Sequence, residues 1–169
     1  MKSLVMKIMV LAALALAVSA CGIYSFTGTS IQPDIKTVTI NYFEYKAVKV
    51  NPSLSTSLTE ELKSQYRRMT KLEQVEEDGD LEIEGAVTGY EYRPTAVTAR
   101  EIAEKMRLTV TVKIKFTNRK YPEEDFEKSF SAFGDYDASL ALESVQDELC
   151  KTIVETIVND IMNATVANW

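Results

Sequence analysis

Apolar and polar positions alternate along four stretches of this chain and recur every three to four residues along two others. From Lys36 to Phe43, Val38, Ile40 and Tyr42 are separated by polar neighbours, the pattern of a half-buried strand. Leu81 to Val87 alternates again and runs on through Tyr90 and Tyr92 to Pro94. The clearest strand is Leu108 to Phe116. There Leu108, Val110, Val112, Ile114 and Phe116 share one face, and Arg107, Thr109, Thr111, Lys113 and Lys115 the other. Phe126 to Phe133 gives the fourth, and Gly134 to Asp137 is expected to end it.

The helical period appears first after Asn51-Pro52, where Asn suits an N-cap and Pro the first helical position. Leu54, Leu58, Leu62, Tyr66 and Met69 then form one apolar stripe, predicting a helix over 52–70. A second helix is predicted over 139–165, capped by Asp137 or Ser139. Leu142, Val145, Leu149, Ile153, Ile157 and Ile161 make its stripe, widened by Val154 and Val158. At 1.5 Å per residue it spans about 40 Å, enough to cross a small sheet diagonally.

The expected fold is therefore α+β with the order β-α-β-β-β-α. It is a two-layer sandwich in which two long helices pack on one face of a four-stranded sheet. Glu76 to Asp80 reads as a turn around Asp78-Gly79. Its acidic run lacks the ligand spacing of the helix-loop-helix calcium motif, so no metal is expected there. Asn118 to Glu124, with Pro122, is the other turn.

The first residues read differently. Lys2 and Lys7 precede an unbroken apolar run of eleven, Ile8 to Val18, too short to span a bilayer at roughly 20 residues and ending in small side chains. Val18-Ser19-Ala20-Cys21 resembles the bacterial lipobox, which implies removal of a signal peptide, residues 1–20, and acylation of Cys21. Gly22 rather than Asp after the cysteine favours the outer membrane, facing the periplasm. Several acyl chains at about 0.8 kcal/mol per buried CH₂ make such an anchor durable. Residues 21–35, rich in Gly, Ser and Thr up to Pro33, are expected to be the lipidated N-terminus and tether, and 36–169 a single domain.

Charge and composition narrow the chemistry. The chain of 169 residues carries 19 basic and 25 acidic side chains, and two of the lysines belong to the leader. That leaves 17 against 25, or −8, a balance that argues against nucleic acid and against bulk attraction of an anionic glycolipid. The absence of histidine removes the usual metal ligand and general base. With Cys21 acylated, Cys150 has no partner for an internal disulfide. It lies beside the second helical stripe, where packing is the ordinary role of a cysteine.

In order and spacing, these pieces resemble the LPS-assembly lipoprotein family LptE in a short, divergent form. They are Cys21-Gly22 with Tyr24 to Gly28, Lys36-Thr-Val38, Asn51-Pro52-Ser-Leu54, Gly79-Asp80-Leu81, Gly85, Thr88-Gly89-Tyr90, Leu108 to Asn118, Phe130 to Tyr136, Val145 to Leu149 and Asn168-Trp169. The resemblance implies two helices on one face of a four-stranded sheet. It also implies a partner, the large outer-membrane β-barrel that inserts lipopolysaccharide, with this protein as its plug. It implies no cofactor and no catalysis.

Candidate contacts to the barrel or to lipopolysaccharide are Arg93, Arg100, Lys105 and Arg107, in or beside the connection between the second and third strands, with Lys113 and Lys115 extending the row. Arginine grips phosphate in a bidentate way. The plainer reading is a solvated hairpin tip neutralised by Glu101 and Glu104, with Lys113 and Lys115 pairing Glu82 and Glu84 across strands. Lys63, Arg67 and Lys71 stack by fours on the first helix. Positive charge near a helix C-terminus is favourable by about 0.3–1 kcal/mol without any ligand.

Two other function classes remain open at this point. One is a periplasmic binding or regulatory lipoprotein acting on another envelope complex. The other is an enzyme built on paired carboxylates, which finds no nucleophile elbow or Gly-rich phosphate loop beside them.

Overall fold

A computed structural model describes residues 31–95 and 105–166. The predicted signal peptide, Cys21, most of the predicted tether, Arg100, Glu101, Glu104 and Asn168-Trp169 lie outside the described residues. The elements run β1 (Thr37–Ile40), β2 (Glu44–Tyr45), α1 (Leu54–Met69), β3 (Glu73–Gln74), β4 (Leu81–Pro94), β5 (Lys105–Asn118), a 3₁₀ turn (Pro122–Glu124), β6 (Phe126–Asp137) and α2 (Leu142–Thr165). Both helices lie on one side of a mixed sheet, as the periodicity predicts. Among the described residues the sheet has six strands rather than four because two short pieces, β2 and β3, join it by backbone pairing.

The sheet order is β3-β1-β4-β5-β6. β1 pairs in parallel with β3 and β4, and β2 continues along the same edge of β4 after a break at Asn41 to Phe43. That break drives the Phe43 ring into the core over Gly85, where it is fully buried. β4, β5 and β6 form a long antiparallel meander. An irregularity between Val87 and Gly89 inserts Thr88 as an extra residue. It switches β4 from odd to even inward positions: Ile83 and Val87 point to the helices below it, Tyr90 above it.

Val38, Ile83, Leu108, Val110, Val112, Ile114, Ile153 and Ile157 are all buried in one core between sheet and helices. Each such side chain stabilises by roughly 1.5–3 kcal/mol when fully buried. The α1 stripe holds for Leu54, Leu58, Leu62 and Tyr66 but not for Met69, which is 56% exposed at the last turn. The helix starts are also later than predicted. Asn51 lies two residues before the N-cap Ser53, whose hydroxyl donates to the Asn51 Oδ1 at 3.0 Å. Asp137 and Ser139 form a local turn, and α2 begins after Ala141. β6 continues through Gly134 to Asp137, its register with β5 unbroken.

The Tyr66 hydroxyl lies 2.6 Å from Thr165 Oγ1, which donates to the Ile161 carbonyl at 2.8 Å, so the two helices are tied at one end. At the same end Ile31 to Ile35 pack on the domain, with Gln32 donating to Glu124 at 2.6 Å and Ile35 buried. Among the described residues no helix is long and apolar enough to cross a membrane.

Candidate functional site

The helices cover one face of the sheet and leave the other bare. Because strand side chains alternate, the residues that fill the core in β4, β5 and β6 force their neighbours onto that bare face. The strand register then sets them in rungs. Glu84 lies opposite Lys115, and Lys115 opposite Glu127. Thr111 lies opposite Ser131, their hydroxyls 2.8 Å apart. Arg93 lies opposite Arg107, and Arg107 opposite Asp135.

Four of the five predicted basic residues in the described part of this face are ion-paired with a carboxylate, and the fifth, Lys105, faces one across the strands. Lys113 pairs with Glu127, and Lys115 lies 3.7 Å from Glu84. Arg107 grips Asp135 with two hydrogen bonds of 2.6 and 2.9 Å while its guanidinium stacks 3.7 Å above the Phe133 ring. Arg93 pairs with Glu91 at 2.6 Å. Lys105 sits opposite Asp137 in register. The Lys113 ammonium holds the Glu127 carboxyl below the usual range, and the Arg107 guanidinium does the same for Asp135. Asp137 is lowered chiefly by hydrogen bonds from Ser139, with Lys105 adding a smaller pull.

Five cations thus face five carboxylates, and the face is polar without being basic. The expected pairing of Lys115 with Glu84 is found. Lys113 instead finds Glu127 on β6, and Glu82 is taken by Arg119 at 2.7 Å. Exposed pairs of this kind contribute about 0–1 kcal/mol each. What they do is cancel local charge.

Between the broken β1–β2 edge and β6 the face dips into a hollow of about 550 Å³, lined by Glu44, Glu84, Ala86, Thr88, Lys113 and Glu127. Small Ala86 makes the floor. Lys63, Arg67 and Lys71 lie elsewhere, on and after α1. There Arg67 donates to Gln74 at 3.2 Å and the Lys63 carbonyl accepts from Gln74 at 2.6 Å. That arrangement ties helix to strand β3 and brings the three cations to no common site. Among the described residues no three His, Cys, Asp or Glu side chains gather closely enough to hold a metal.

Sequence reasoning did not single out the carboxylates of β6, Glu127, Asp135 and Asp137, as part of this face. Their alternation from Phe126 onward carries the signal, but their pairing needs the β5–β6 register.

Comparison with known proteins adds a relationship. The family model described as LptE, lipopolysaccharide-assembly, matches residues 35–165. No curated protein sequence matches the chain. Among solved structures, the chain is similar to a hypothetical protein from Chlamydia trachomatis, at 6% identity and a TM-score of 0.53. The match covers 76% of this chain and 94% of that one. It is also similar to a minor lipoprotein from Acinetobacter baumannii, at 12% identity, TM-score 0.47 and coverage of 72% and 91%. A third is the rare lipoprotein B from Shewanella oneidensis, at 13% identity, TM-score 0.46 and coverage of 73% and 95%. The Chlamydia likeness speaks for the fold alone.

Proposed function

Given that the chain belongs to the LptE family of lipopolysaccharide-assembly proteins, we propose that it is a non-enzymatic outer-membrane lipoprotein that plugs and stabilises the lipopolysaccharide-inserting β-barrel. Cys21 is the acylated residue in this reading, residues 1–20 the leader, and the lipid anchor holds the domain on the periplasmic side.

One observation carries the plug: a sheet bare on one face, its cations and carboxylates matched pair for pair. A large membrane barrel has a polar, water-filled interior. A surface that hydrogen-bonds freely yet carries no local excess of charge can enter such a space without forcing an unpaired ion out of water. A strongly basic face would instead demand a bound anion wherever the barrel wall lacked carboxylates. Lipopolysaccharide contact through Arg93 or Arg107 requires its phosphates to displace Glu91 or Asp135.

The test is affinity purification of the full-length protein in gentle detergent. We expect a large, heat-modifiable outer-membrane barrel in the eluate. Its absence from an eluate rich in the lipoprotein would sink the reading. Metabolic labelling with an alkyne fatty acid should mark the wild type and fail on Cys21→Ala.

A further inference from the structure

The loop between β2 and α1 carries Lys46-Ala-Val48-Lys49-Val50 and does what loops seldom do: it holds two aliphatic side chains in water, Val48 at 99% exposure and Val50 at 75%. It is not slack. The Tyr45 hydroxyl donates to the Lys49 carbonyl at 2.6 Å and accepts the Asn51 N–H at 3.1 Å, closing the loop on itself. The Lys46 N–H donates to the Val87 carbonyl at 2.8 Å, and the Lys49 ammonium sits 3.4 Å above the Tyr92 ring. Asn51 is buried and fixes the far end through its carbonyl, which accepts from Leu54, and its amide, which lies 3.5 Å from Cys150 Sγ. Ordering entropy that a flexible loop would lose on binding is already spent here.

We propose that this loop is a docking finger whose two valines enter an apolar recess rimmed by carboxylates in the wall of the partner protein. The inference rests on the barrel reading above and names the contact. Lys46 is already paired with Glu44, so Lys49, which meets no carboxylate among the described residues and sits next to Val48, sets the charge of the rim. Position argues for protein rather than bilayer. The chain enters the domain at Ile31, beside Phe116, Asn118 and Val166. The finger sits at the level of Val87 to Tyr92, roughly 20–35 Å along β4 from that entry at about 3.3 Å per residue. An anchor attached at the entry end therefore leaves the finger turned away from its own bilayer. Valine is also a poor membrane-interface residue beside Trp or Tyr, whereas its stiff, branched side chain suits a shaped pocket.

The experiment places a photoreactive benzophenone side chain at position 48 or 50 of the full-length protein in living cells. In parallel, it compares barrel recovery by the wild type, Val48→Ile and Val48→Asp/Val50→Asp. We expect adducts to the barrel from both positions, full recovery by Val48→Ile, and at least a tenfold loss for the double variant at an unchanged melting temperature. Adducts to phospholipid or glycolipid alone, or full barrel recovery by the double variant, overturn the finger and leave the plug reading standing. A wild type that recovers no barrel removes the plug reading, and the finger with it.

Discussion

Gly85 is the position at which the packing of this fold can be tested most sharply. A Cβ added there would lie 2.3 Å from Phe43 Cε1, 2.7 Å from Cδ1 and 3.0 Å from the Lys113 carbonyl oxygen. Carbon atoms pack at about 3.5–4.0 Å, so the ring must retreat by more than about 1 Å. Phe43 has no exposed surface and no room to do so cheaply. Overpacking of this kind costs about 1–3 kcal/mol. Replacing glycine within a strand returns about 0.5–1 kcal/mol of backbone entropy. The net for Gly85→Ala is a loss of about 0–2.5 kcal/mol, or up to about 10 °C in melting temperature for a domain of this size. Phe43→Ala should cost about 3–5 kcal/mol alone. With the ring gone the new methyl meets no ring, so the double variant should be about 1–3 kcal/mol less damaged than the sum of the singles. Urea unfolding of the four proteins closes the cycle. Strictly additive variants would refute the close approach of ring and strand.

Other outcomes follow from single contacts. Tyr66→Phe removes the hydroxyl at Thr165 and should cost about 0.5–1.5 kcal/mol by urea denaturation; Thr165→Val should cost a similar amount, and the pair should not add. Asp80 accepts the backbone N–H groups of Lys36 and Thr37 at 2.6 and 3.1 Å, and these, with Lys120, hold its carboxyl below the ordinary 3.8. A folded-state value below the unfolded one contributes stability above pH 3.8 that is lost as pH falls through the lower value. Asp80→Asn should therefore be destabilised at pH 7 and should flatten the fall of the urea midpoint below pH 4. An unchanged slope counts against that role. Burial pushes the Cys150 thiol up, with Asp147 adding to the rise. We expect no labelling by a water-soluble maleimide at pH 7 in the native protein and prompt labelling in urea, and rapid native labelling would contradict the buried site.

Much of the architecture was legible because it is written in period. Leu108 to Phe116 alternates without a flaw, and both helical stripes run long enough to exclude a strand. Glu44-Tyr45 and Glu73-Gln74 were invisible for the opposite reason. Two residues hold no period, and these short strands exist because β4 and β1 offer them backbone partners. The Thr88 bulge was half visible, since Leu81 to Val87 and Tyr90 to Tyr92 are out of phase and only an extra residue reconciles them. Met69 matched its stripe but emerges past the last turn that the sheet can cover. The basic row was found as residues and not as a site. Arg107 and Lys113 announce their charge in sequence, whereas neutralisation by Asp135 and Glu127 depends on which strand comes next in the sheet.

The parallel pairing of β1 and β2 with β4 has a consequence for how the chain matures. β4, β5 and β6 follow one another in sequence and lie side by side, so most of their ladders close locally. β1 and β2 come earlier in the chain: until β4 has followed them, β2 has no complement and β1 has only the two-residue β3. If the polypeptide is exported leader first, as proposed, β1 reaches the periplasm as an orphan, with Val38 and Ile40 bare to solvent. We expect the meander to assemble first and the N-terminal strands to be zipped on last. Pulse-labelled hydrogen exchange during refolding would read that order directly, and early protection of β1 amides would reverse it.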